Sequence, residues 1–158
     1  MKKYIFLDID GVLNSDKWNH EFITKYKYSN TPGIEQEIDP DAMKLINDLV
    51  NKTGAEIIMS SSWRHNLEGA VRKLKRCGLV HDIVQKIDNG RIVVGEQRGK
   101  LIKDFLSSHD YSTYVIIDDA CDILKCQKKY YVQTNSTIGF CEADYKKALN
   151  ILGYEEKV

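Results

Sequence analysis

Two aspartates one residue apart, Asp8 and Asp10, cut into the apolar run of "YIFLDIDGVLN" and are followed at once by Gly11. Another pair, Asp118 and Asp119, ends "STYVIIDD", with Asp122 three residues further on, and three serines, Ser60 to Ser62, follow the apolar stretch of "AEIIMS" and lead into Trp63 and Arg64. Carboxylates brought together away from water repel one another and lose hydration, a cost that a bound cation removes. A donor set made only of oxygen is hard and suits Mg²⁺ better than zinc. Taken singly, an Asp after a strand commonly caps a helix or makes a turn, and Asp122 alone fits that role. The recurrence of acids, serines and a basic residue at equivalent strand ends argues instead for one shared site.

Those ends belong to elements that alternate along the chain. Residues 4–9 read as a strand buried on both faces, because Ile5, Phe6 and Leu7 are consecutive and apolar. "EIDPDAMKLINDLVNKTG" reads as a helix with Asp39 as N-cap, Pro40 at its first position and Gly54 as terminator, carrying Met43, Ile46, Leu49 and Val50 on one face. A strand at "AEIIMS" and an amphipathic helix at "HNLEGAVRKLKRCG" follow, then a helix at "RGKLIKDFLSSH", a strand at "STYVIIDD", a short strand at "KKYYVQT" and a closing helix at "EADYKKALNILG". The pattern predicts an α/β fold, a three-layer Rossmann-like arrangement with a mainly parallel sheet covered by helices on both faces. In such a sheet the carboxyl ends of the strands share one edge, so residues distant in sequence converge there.

Two segments exceed the alternation. Residues 15–38 are far longer than a usual βα loop of about 2–6 residues, and residues 83–94 carry Asn89-Gly90 between β-branched runs, a hairpin signal. At 158 residues the chain is expected to form one domain, 1–158, with 15–38 as a loop or minimal cap insertion and 83–94 as a β-hairpin. The 23 basic and 23 acidic residues cancel, which excludes a global field drawing the protein to nucleic acid or an anionic membrane; polyanion binding has to be local. Cys77, Cys121, Cys126 and Cys141 form no C-x-x-C pair and read as reduced thiols. The apolar run after "MKK" is too short for a signal sequence or a membrane span, so a cytoplasmic location is expected.

The motifs together resemble those of the haloacid dehalogenase-like phosphohydrolases. "FLDIDGVLN" is similar to the first motif of that superfamily, "IIMSSSWR" to its second and "YVIIDDACD" to its fourth, in the right order over nearly the whole chain. "SSSWR", "RGKLIKDFL", "YVIIDD" and "VQTNSTIGFCEADYKKAL" look like the compact domain of Swiss Army Knife RNA repair proteins. The resemblance implies a Mg²⁺-dependent phosphatase in which Asp8 attacks phosphorus and becomes a transient aspartyl phosphate. Asp10 would then be the acid for the leaving oxygen and the base for water, its backbone carbonyl also reaching the metal. Gly11 lets the chain turn out of the strand so that both carboxyls reach one phosphoryl group. The Ser60 hydroxyl and the Ser61 amide are the expected phosphate donors, and Arg64 can fork onto a phosphate or stack on a base. For Trp63, core packing and a stacking surface are both open. The third-motif cation is Arg98 or Lys100 in "QRGKLI". Asp118 and Asp119 complete the metal set, Asp119 as the expected direct ligand and Asp118 acting through water or as an orienting residue.

No insertion is long enough for a full cap, so the crevice is expected to be open to a nucleic-acid terminus, a nucleotide or a protein phosphate. Lys17, Lys25 and Lys27 interleave with Trp18, Phe22, Tyr26 and Tyr28, a stretch that suits either base stacking with phosphate contact or a small aromatic subcore. The activity expected from these features is phosphomonoester hydrolysis on nucleic-acid 3′-phosphate ends or nucleotides. The alternatives are a small-metabolite phosphatase and a non-catalytic phosphate-binding or interaction module on the same scaffold.

Overall fold

Five parallel strands form one sheet in the order β3-β2-β1-β4-β5 in a computed structural model that describes residues 1–26, 37–88 and 97–155. β1 (Lys2–Leu7) is central, flanked by β2 (Glu56–Met59) and β4 (Tyr111–Asp118), with β3 (Gln85–Lys86) and β5 (Tyr131–Gln133) on the edges. The chain proceeds outward from β1 to β3, then crosses to β4 on the far side of β1. Strand order therefore reverses between β1 and β4, the place where an open α/β sheet opens a crevice at its carboxyl edge.

The alternating side chains of the inner strands feed two separate cores. Ile5, Leu7, Ile57, Met59, Val115 and Ile117 point to one face and pack with Met43, Ile46 and Leu49 of α2 (Pro40–Thr53), Leu74 of α3 (Leu67–Arg76) and Leu149 of α5 (Glu142–Ile151). Tyr4, Phe6, Ile58, Tyr114 and Ile116 point to the other face and meet Leu101, Ile102 and Phe105 of α4 (Arg98–Ser107). The expected three-layer architecture is thus present, and β1 is buried on both faces because each face has its own helical cover.

Local chemistry fixes where the elements begin. The Asp39 side chain accepts from the Asp41 amide at 2.9 Å, Pro40 follows, and Gly54 closes α2 in the left-handed region with φ of 65°. The segment "KKYYVQT" departs from the expected strand: a 3-10 helix occupies Lys125–Tyr130 and β5 begins only at Tyr131. Gln127 explains the change, because its side chain accepts from the Leu124 amide and donates to the Gly99 carbonyl, tying the turn to the start of α4. Within the long insertion after β1, α1 spans Asp16–Tyr26 and is anchored by the Asp16 and Lys17 amides to the carbonyls of Ser136 and Thr137. Trp18 and Phe22 lie side by side on it, 6.1 Å between ring centres. Lys27 and Tyr28 lie outside the described residues. Of the hairpin read over 83–94, Gln85–Lys86 joins the sheet parallel to β2, whereas the Asn89-Gly90 turn and the returning arm lie outside the described residues. Among the described residues no helix is long and apolar enough to cross a membrane, and all four thiols are free.

Candidate active site

β1 carries its ladder one residue past Leu7, the Asp8 amide donating to the Ile117 carbonyl at 3.0 Å, and then breaks. Gly11 turns the chain with φ of 78°, a conformation that a side chain strains. Space forbids one as well: a Cβ there would sit 2.6 Å from Cγ of Asp119. The close approach of the β1 turn to Asp119 is what brings the first acidic motif against the second. Thr134, buried beside them, fastens the same junction, its hydroxyl donating to the Gly11 carbonyl at 2.9 Å and its amide to the Asp118 carbonyl at 3.0 Å.

Among the described residues, Asp8, Asp118 and Asp119 offer carboxylate oxygens that all lie within 4.8 Å of one another. Asp8 and Asp118 are buried, Asp119 half-buried. Arg98 at the start of α4 is the cation that faces them: its guanidinium lies 3.3 Å from Asp8 Oδ2 and donates to Asp118 Oδ2. Burial, then the neighbouring Asp118 charge, pushes the Asp8 carboxyl up to about 7, against the pull of Arg98, the Ile9 amide and the Ser61 side chain. Burial likewise raises the Asp118 carboxyl, opposed by Arg98 and the Ala120 amide. Burial disfavours the charged form of Arg98, but Asp8 and Asp118 outweigh it and hold the guanidinium protonated. Among the described residues, three acids against one guanidinium leave negative charge that a hard cation would balance, and the donor set of oxygens alone fits such an ion.

Of the two cations left open in "QRGKLI", Arg98 meets the acids while Lys100 is exposed on α4. Asp122 caps a helix, as its type alone suggests, but the helix is α4 rather than one that follows it: its Oδ2 accepts from the Arg98 amide at 3.2 Å and its carbonyl from the Gly99 amide at 3.0 Å. Gly99 is required there, since a Cβ would fall 2.6 Å from the Leu124 amide nitrogen. Asp122 thereby sets the position of Arg98.

Of the serines, Ser61 departs from expectation. The Ser61 amide is taken up by the Leu7 carbonyl at 3.3 Å, and it is the Ser61 side chain that bonds Asp8. Ser60 is fully buried, and its hydroxyl has no hydrogen-bond partner among the described residues. Arg64 turns away from the acids: its Nε lies 2.9 Å from Asp88 Oδ2 and a terminal nitrogen donates to the Ser60 and Ser61 carbonyls at 3.3 and 3.1 Å. The 3-10 helix Ser62–Asn66 causes this by folding Arg64 back over the turn that precedes it. In this arrangement Arg64 braces the end of β2 and presents no free fork to a phosphate.

Asp10 stands apart from the three-acid group and is exposed. Two side chains hold it: Trp63 Nε1 donates to Oδ2 at 3.1 Å and Asn14 Nδ2 donates to Oδ1 at 2.9 Å. Asn14 also accepts from the Gly11 amide at 2.9 Å. Neither contact is among the roles that residue type suggests for Trp63 or Asn14, although both residues lie inside the motifs themselves.

A parallel α/β sheet whose switch point holds acids from β1 and β4 and a cation from the helix before β4 defines a haloacid dehalogenase-like domain. A family model described as the HAD domain in Swiss Army Knife RNA repair proteins matches residues 4–145, and the chain belongs to that family. The match runs from β1 into α5 and takes in every residue of the site. No curated protein and no solved structure matches the chain. Membership points to hydrolase chemistry of the phosphatase type.

Proposed function

We propose that the protein is a Mg²⁺-dependent phosphomonoesterase that works through an aspartyl phosphate on Asp8 and acts on nucleic-acid 3′-phosphate ends or nucleotides. The observation that carries the reading is the convergence of Asp8, Asp118 and Asp119 within 4.8 Å at the switch point, with one guanidinium among the described residues to face three acids. Asp8 and Asp119 would ligate the ion directly, the Asp10 backbone carbonyl would add to them, and Asp118 would orient the set through water. When bound, the ion supplies the charge neutralisation that lets a carboxylate approach a phosphate dianion.

The chain's own residues account for the remaining steps. Ionised Asp8, oriented by the Ser61 side chain, attacks phosphorus as the bond to the leaving oxygen breaks, and Asp10 gives that oxygen its proton. Asp10, now a carboxylate, takes a proton from water as the water oxygen attacks the phosphoaspartate, which releases phosphate and restores Asp8. Arg98 holds Asp8 and Asp118 in register throughout. The family description, which names RNA repair proteins, and the absence of a large insertion in the chain favour a terminus over an enclosed metabolite.

Phosphate release tests the reading, measured on 3′- and 5′-phosphorylated RNA and DNA, mononucleotides, sugar phosphates and phosphopeptides, each with and without Mg²⁺. Release from 3′-phosphorylated ends that requires Mg²⁺ is expected. Release from aryl phosphates and nucleotides but never from 3′ ends would remove the end-repair substrate and leave a small-molecule phosphatase.

A further inference from the structure

Asp10 differs from the other acids in how it is held. Asp8 and Asp118 are buried against a guanidinium, whereas the Asp10 carboxylate is exposed and receives one neutral donor on each oxygen, the Trp63 indole N–H on Oδ2 and the Asn14 amide on Oδ1. A surface carboxylate with no such partners samples several rotamers, and each polar donor that fixes it loses conformational freedom of its own. Here the donors are themselves fixed. The Trp63 ring packs on the edge of the larger core, its backbone amide donates to Ser61 Oγ at 3.3 Å, and the Lys73 ammonium sits 5.1 Å from the ring centre. Asn14 is pinned by the Gly11 amide on its other side.

The spacing of the contacts is informative too. Ser61 and Trp63 stand two residues apart after β2, as Asp8 and Asp10 do after β1. Ser61 meets Asp8 and Trp63 meets Asp10. One short segment thus addresses both acids of the neighbouring strand end, each through a side chain.

We propose that Trp63 and Asn14 clamp the Asp10 carboxylate in the orientation from which it gives its proton to the leaving oxygen and later takes one from water. This rests on the reading of Asp8 and Asp10 given above. Both are positioning residues, and Trp63 is assigned to this duty in place of base stacking, one face of its ring being shared with Lys73. The consequence is a dependence on the leaving group. An alkoxide must be protonated as it departs, so loss of the clamp slows the first displacement on alkyl esters, whereas a nitrophenolate departs without help; the attack of water is common to both substrates and does not enter kcat/KM.

Two measurements test the clamp. The chain has two tryptophans, so a ¹⁵N-labelled sample shows two indole N–H resonances, and Trp63→Phe identifies one of them. Asp10→Ala is expected to move the Trp63 resonance upfield and leave that of Trp18 in place; an unmoved Trp63 resonance overturns the clamp. Trp63→Phe keeps the packing and removes the donor. It is expected to lower kcat/KM on a 3′-phosphorylated oligonucleotide about tenfold, but on p-nitrophenyl phosphate by less than about threefold. Asn14→Leu, which removes the donor without placing a second carboxylate beside Asp10, is expected to repeat the pattern. Equal losses of kcat/KM on both substrates, or none on either, contradict the proposal. Turnover that persists in Asp8→Asn defeats the assignment of Asp8 as nucleophile, and turnover missing from the wild-type protein defeats the hydrolase reading; either takes the clamp's chemical role with it.

Discussion

Among the described residues, three carboxylates face one guanidinium at the carboxyl ends of β1 and β4; beside them, past β2 and β3, the carboxylate of Asp88 faces Arg64 at 2.9 Å and Lys86 at 3.7 Å. Both clusters have buried members and both lie on the same edge of the sheet. In the second, the guanidinium also satisfies the carbonyls of Ser60 and Ser61, and Lys86 donates to the Arg64 carbonyl at 3.3 Å, so the buried acid is matched and the one positive charge left over sits on a lysine that reaches solvent. In the first, the acids outnumber their partner and burial drives the carboxyls of Asp8 and Asp118 upward. A buried charged group indicates function less by its presence than by the part of its charge that the chain leaves unbalanced.

Changing one residue in each cluster separates the two. Asp8→Asn is expected to lower phosphate release by more than about a thousandfold while the metal-free protein unfolds at an unchanged or higher temperature, because the substitution removes a buried negative charge along with the nucleophile. Phosphate release and thermal unfolding on the same preparation check this, and a large loss of stability would show that the acid cluster is structural. Arg64→Ala is expected to do the reverse. Taking the guanidinium from buried Asp88 while Lys86 remains 3.7 Å away costs about 1.5–3 kcal/mol of stability, read from denaturant unfolding, with turnover retained by the fraction that stays folded.

The pH dependence of the metal-free protein sharpens the contrast. The Asp8 carboxyl titrates near its ordinary 3.8 in the unfolded chain and at about 7 in the folded one, so between those values the folded protein binds more protons. Its stability is therefore full below the lower value and falls as pH rises through the window, with Asp118 acting in the same direction. Thermal unfolding from about pH 4 to about pH 8 should follow that decline, and Mg²⁺ should restore most stability at the upper end. The smallest effect belongs to Lys100, exposed on α4 one helical step from the site: Lys100→Ala should change turnover by less than about twofold.

Much of this is legible in the amino-acid sequence. Asp8, Asp118 and Asp119 follow from acids ending apolar runs, and α2 from Asp39, Pro40 and Gly54, because strand burial and helix caps leave marks at fixed short spacings. The rest depended on geometry of a single residue or on distant partners. Whether Ser60 or Ser61 bears on Asp8 turns on one step along a chain whose side chains alternate, and a one-residue shift reverses the answer. Arg98 and Lys100 differ by the phase of a helix start that Asp122, 24 residues from Arg98, sets from β4's end. Arg64 reads as a phosphate ligand by type, yet its partner Asp88 also lies 24 residues away and nothing local announces it. Trp63 on Asp10 spans 53 residues, and an indole donor has no spacing rule to betray it.

The central claim is that Asp8 takes the phosphoryl group. Acid-quenching the protein during turnover of a 3′-phosphorylated oligonucleotide with Mg²⁺, followed by peptide mapping by mass spectrometry, tests it most directly. The account predicts a hydroxylamine-sensitive phosphoryl adduct on the peptide carrying Asp8, absent in Asp8→Asn. An adduct on another residue, or phosphate release continuing at the wild-type rate in Asp8→Asn, would contradict it.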